Sequence, residues 1–146
     1  MTEIALTTWF PASSDTLFGW WTDAARLARW FAPEGWRVVS SVAEPRPGGA
    51  WQVVFTGAGG RVTEQGEYLM LDRPNGLRLS LQQHFGDGSS GPRTEVSVGF
   101  HAEGAGTRME FRQTSLTPAQ AAAMVEGWES CFAQIAAGLA PKAAAG

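Results

Sequence analysis

Cysteine, lysine and histidine are almost missing from this sequence of 146 residues, which holds one cysteine (Cys131), one lysine (Lys142) and two histidines (His84 and His101). A lone cysteine excludes a disulfide framework and any site built from several thiolates. Cys131 also falls on an apolar helical stripe, where a small buried hydrophobe is the expected role. Two histidines on separate expected strands give no metal-ligand cluster, so neither a metal nor a cofactor is expected. One lysine and a net charge of −3 leave no basic surface for phosphates and argue against a nucleic-acid partner. No apolar run approaches the roughly 20 residues that span a bilayer, and the opening MTEIALTTWF lacks the pattern of a signal peptide. A cytoplasmic protein with no membrane partner is expected. Nucleophile elbows and phosphate loops are missing too, because the Gly-rich run Gly57-Ala58-Gly59-Gly60 leads into a strand, not a helix.

Aromatic residues, by contrast, are plentiful: seven tryptophans and eight phenylalanines. Either these rings supply most of the core or they line a ligand cavity, and both readings stand at this point. The length suits one domain over residues 1–140, followed by a disordered tail at 141–146 that holds no core residues.

Residues 117–139 organise the rest. Thr117 and Pro118 make a helix start, with threonine as cap and proline at the first helical position. Met124, Trp128, Cys131, Phe132, Ile135 and Leu139 recur at three- and four-residue steps and form one stripe along a helix about 34 Å long. Such a stripe needs a broad apolar partner. Upstream, residues 3–10 read as a strand stopped by Pro11, and residues 16–21 and 24–31 as two short helices. From Trp36 to Gln113 the period is two. The expected strands cover residues 36–42, 51–55, 61–71, 77–82, 95–101 and 107–113, separated by Gly/Pro turns and by the Gly/Ser-rich loop at 86–92. The fold class is therefore α+β: a curved antiparallel sheet of six to seven strands wrapped around a long C-terminal helix, a helix-grip architecture.

Several stretches carry a family likeness in the same order along the chain. They are Trp21-Thr22-Asp23, Leu27-Ala28-Arg29-Trp30-Phe31, Arg46-Pro47-Gly48-Gly49-Ala50-Trp51, Gly66 ahead of Leu71-Asp72, Gly106-Thr107-Arg108 and Glu126-Gly127-Trp128. Together they resemble the C-terminal domain of the Hsp90 ATPase activator, in the START/Bet v 1-like superfamily. The resemblance implies a helix-grip fold with a cavity between sheet and last helix. It implies no single activity, since relatives include lipid carriers and polyketide aromatase/cyclases. Relatives carry a histidine at the position matching Gln113, and an amide there weakens an acid–base reading.

On the expected strands, Trp51, Phe55, Leu81, Phe100, Met109, Phe111 and Gln113 face Trp128 and Phe132 across the interior; these nine are the candidate ligand-binding residues. The cavity is expected to open near Trp20, Trp30 and the loop at 86–92. Gln113 needs a partner, either structural or a ligand, because an unpaired buried amide costs about 1–3 kcal/mol. Glu67 and Gln65 share the parity of Leu69 and Leu71. Facing inward, Glu67 would be a general base with a raised pKa; if Gly66 bulges, both residues face solvent. His84, on a polar strand face, is the other weak catalytic candidate. Gly127 is expected to let the helix approach its neighbours. The leading function is binding of a small hydrophobic molecule. A cyclase- or hydrolase-type enzyme using Glu67 or His84 is the alternative. A protein-interaction module, chaperone-linked or homodimeric, is a third.

Overall fold

The switch from helical to alternating spacing near residue 36 marks where a helical excursion gives way to a meander of strands. A computed structural model describes residues 2–139; the tail expected at 141–146 lies outside the described residues. Strand β1 (Thr2–Phe10) ends at Pro11, which has no N–H to continue a ladder. Helix α1 (Ser14–Thr22) starts at Ser13, whose hydroxyl accepts the Thr16 N–H at 3.1 Å. Asp23 follows α1 directly and caps α2 (Ala24–Trp30), accepting the Ala25 N–H at 3.1 Å.

Six strands follow: β2 (Arg37–Ala43), β3 (Ala50–Gly57), β4 (Gly60–Asp72), β5 (Gly76–Phe85), β6 (Thr94–Glu103) and β7 (Gly106–Leu116). Each pairs antiparallel with the next, and β1 returns to pair with β7, giving the order β1-β7-β6-β5-β4-β3-β2. The α1–α2 excursion therefore carries the chain from one edge of the sheet to the other. Helix α3 (Pro118–Leu139) lies in the grip of the curved sheet. Its start is a reciprocal cap: Thr117 Oγ1 accepts the Gln120 N–H at 3.2 Å, and Gln120 Oε1 accepts the Thr117 N–H at 3.0 Å. Among the described residues, no helix is long and apolar enough to cross a membrane.

The core is a cluster of rings. Trp21 lies 4.7 Å from Trp30 and 6.1 Å from Trp128, and Phe111 lies 5.3 Å from Phe132. At about 1.5–3 kcal/mol per large buried side chain, these contacts outweigh the exposed ion pairs such as Arg73–Asp15, worth roughly 0–1 kcal/mol each.

Strand β4 departs from simple alternation. Val62, Glu64 and Tyr68 face the core, then a register shift between Tyr68 and Met70 flips the parity, so that Leu71 packs inward opposite Leu77. Reading the parity of the whole strand from Leu69 and Leu71 puts the wrong residues inside. Gly66 stands two residues before the irregularity, and its role is close approach: a Cβ there would collide with the Ser80 backbone.

Candidate functional site

The long apolar helix and the strands it covers do not meet everywhere. Between α3 and β3–β5 lies a cavity of about 770 Å³. Phe55, Val62, Glu64, Gln83 and Phe85 project into it from the sheet. Met124, Gly127, Trp128 and Cys131 face it from α3, and Phe31, Pro33 and Trp36 close it from the α2–β2 connection. Ser90, Gly91 and Pro92 of the β5–β6 loop form its rim. The walls are mostly apolar, as a pocket for a small organic molecule requires.

Among the described residues, Glu64 is the one charged side chain on this wall, and it is only 7% exposed. It sits directly across the β4–β5 ladder from Gln83, whose Nε2 donates to its carboxylate at 2.7 Å. Burial pushes the carboxyl up to about 7, and the Gln83 hydrogen bond offsets this only in part. Burial, with the nearby Glu64 charge adding to it, also pushes the Cys131 thiol up, so this cysteine stays protonated and inert at neutral pH.

Of the nine ligand-contact candidates, the structure places Phe55 and Trp128 on the cavity wall. Trp51, Leu81, Phe100, Met109, Phe111 and Phe132 are buried in the packed core, and Gln113 is fully buried. The Gln113 amide is satisfied within the protein: Oε1 accepts the Trp128 indole N–H at 2.8 Å, and Nε2 donates to Thr94 Oγ1 at 3.0 Å. The Thr94 hydroxyl in turn donates to the Leu81 carbonyl at 2.8 Å. Trp51 donates its indole N–H to the Ser80 carbonyl at 3.0 Å.

Glu67 is exposed, on the opposite face from Glu64, because the inward parity of Leu71 holds only beyond the register shift at Tyr68/Met70; its backbone N–H donates to Ser80 Oγ at 2.9 Å. His84 alternates with Gln83 and Phe85, so it points away from the cavity, and its Nδ1 lies 2.7 Å from Ser90 Oγ. Trp20 and Trp30 are buried in the core, and the loop at 86–92 alone borders the cavity, through Ser90, Gly91 and Pro92. Glu64 is the residue that sequence reasoning missed. The available signal was Val62, whose apolar side chain pairs with Phe55 and fixes the inward parity of the first half of β4.

Gly127 has no atom within 4 Å of where its Cβ would stand. It opens onto the cavity and is not a point of close helix approach; the helical glycine that serves close approach is Gly138, against the Trp20 ring. Among the described residues, no group of three or more His, Cys, Asp or Glu could hold a metal ion.

Comparison with known proteins agrees with this architecture. The AHSA1 protein of Silicibacter pomeroyi superposes with a TM-score of 0.83 at 26% identity, covering 95% of this chain and 98% of its own. A protein from Chromobacterium violaceum gives 0.84 at 22% identity, covering 95% and 97%. CalU16 from Micromonospora echinospora gives 0.69 at 22% identity, covering 95% and 76%. Among curated proteins, no sequence matches this chain. The family model for activator of Hsp90 ATPase homolog 1-like protein matches residues 11–140. With that match over most of its length and its helix-grip fold, the chain belongs to the activator of Hsp90 ATPase homolog 1-like family, in the START/Bet v 1-like superfamily.

Proposed function

We propose that this protein binds a small, largely apolar molecule in the cavity between α3 and β3–β5. The observation that carries this is the cavity itself: about 770 Å³, within the roughly 300–1,000 Å³ usual for small-molecule pockets. Rings on several sides support it, with Trp36, Phe55, Phe85 and Trp128 contributed by four different elements or connections. Phe55 and Trp128 remain proposed ligand contacts. Phe31, Trp36, Met124 and Gly127 join them, while Gln113, Phe111 and Phe132 shape the site from behind by holding the Trp128 ring. The test is a panel of aromatic and alkyl compounds titrated into labelled protein. Indole N–H signals of Trp36 and Trp128 should shift together; a panel that moves neither contradicts the proposal.

One observation favours a second reading, an acid–base enzyme of the cyclase or hydrolase type. Glu64 has a carboxyl held near neutrality beside the space a substrate would occupy, which suits a general base. A bound panel member converted by the protein, and left unconverted by Glu64→Gln, would establish it. A chaperone-linked or homodimeric interaction module receives less support. The large exposed apolar side chains include Trp9 on β1 and Val39 and Val42 on β2, at opposite edges of the sheet, where a partner surface needs a contiguous patch.

A further inference from the structure

A buried carboxylate is normally paired with a cation or enclosed by donors, because an uncompensated charge in an apolar setting is costly. Glu64 has neither arrangement. Among the described residues, its carboxylate makes no ion pair and takes one side-chain hydrogen bond, from Gln83. The described residues around the cavity include no arginine, lysine or histidine. The carboxylate instead shares the wall with the rings of Trp36, Phe55 and Trp128. Aromatic rings and one unpaired acid are the two elements that together recognise an organic cation, the rings through their negative faces and the acid through a charge-assisted hydrogen bond.

Given the cavity-binding function proposed above, we infer that the ligand is an amphiphilic amine, with an apolar or aromatic body held among these rings and a protonated nitrogen directed at Glu64. The missing countercharge is supplied by the ligand. Gln83 keeps a donor on the carboxylate and so fixes which way its oxygens point, a positioning role. The arrangement also sets specificity: an anionic ligand of the same shape would meet the Glu64 charge in a low-dielectric space with nothing to offset it.

Among the described residues, the groups facing Glu64 are Gln83 from β5, Val53 from β3 and the Cys131 thiol of α3. Only the thiol titrates, and burial keeps it protonated, so the pH response of amine binding between about 5 and 8 reports Glu64 itself.

The experiment is calorimetric titration of the full chain with three probes of one shape: naphthylethylamine, naphthylethanol and naphthylacetate. At pH 8 the amine should bind at least roughly tenfold more tightly than the alcohol, and the acetate more weakly than either. Glu64→Gln should bring the amine to within about threefold of the alcohol. In the unmodified protein, amine affinity should fall as pH drops from 8 to 5 while alcohol affinity stays level, a result that needs no variant to fold. Equal binding of amine and alcohol overturns the inference and leaves the cavity reading standing. Failure of all three probes to bind overturns both.

Discussion

The Trp128 indole N–H donates to the Gln113 side-chain carbonyl at 2.8 Å, across the seam between α3 and β7. The same amide donates onward to Thr94, which donates to the Leu81 carbonyl, so one directed chain of hydrogen bonds ties the helix to three strands. It fixes the plane of the ring that separates the packed core from the cavity. In this family member, the glutamine is a holder of the wall.

Removing one end of that link should leave the other buried without a partner. Gln113→Leu and Trp128→Phe are each expected to cost about 1–3 kcal/mol in urea denaturation. The double variant should cost clearly less than the sum of the two, because neither unpaired group then remains. Additive losses would show that the hydrogen bond carries no stability of its own.

Glu64 should make stability depend on pH in a defined direction. Its carboxyl is raised in the folded protein from the ordinary 4.5 to about 7, so folding favours the neutral acid. That contribution is fully present below about 4.5 and is lost as pH rises through about 7, by up to about 3 kcal/mol. Glu64→Gln should therefore gain stability over the unmodified protein between pH 4.5 and pH 8 by on the order of that amount. Urea midpoints that differ equally at both pH values would contradict the burial of this carboxylate.

Gly127 offers a test of the open space beside the helix. A glycine inside a helix is less favourable than alanine by about 0.5–1 kcal/mol, and nothing stands within 4 Å of the position a methyl would take. Gly127→Ala should raise the melting temperature. Gly127→Phe should fold and lose binding of naphthyl probes. A Gly127→Ala variant less stable than the parent would mean that the helix is closer to its neighbours than the structure has it.

The N-terminal cap of α3, whose Thr117 and Gln120 also line the cavity, should contribute measurably to stability. Thr117→Ala removes the acceptor for the Gln120 N–H and is expected to cost about 1 kcal/mol. No cost in urea denaturation would mean that the helix start is held by packing alone.

The strand order and the helical stripe were legible because each rests on repetition: Met109, Phe111 and Gln113 alternate, and Trp128, Phe132 and Ile135 step at helical spacing. The inward face of β4 was not. Leu69 and Leu71 gave the parity beyond the irregularity at Tyr68/Met70, so Glu67 took the place that belongs to Glu64. Local sequence does not mark such a shift, because Leu69 becomes the unpaired extra residue only once β4 docks against β5. Periodicity also tells which side a ring faces and not whether packing closes over it. Phe111 and Phe55 both point inward, yet Phe111 is surrounded by other rings while Phe55 borders open space. The distinction depends on how far α3 stands from each strand, which is a property of the assembled fold.

The most direct test of the cavity as a ligand site is the measurement of intermolecular NOEs between bound naphthylethylamine and the protein. NOEs from the naphthyl protons to the Met124 methyl and to the Phe55 and Trp128 rings are the result expected for a ligand seated between α3 and β3–β5. NOEs confined to exposed residues such as Trp9 or Val42, with Met124 and Phe55 silent, would contradict it.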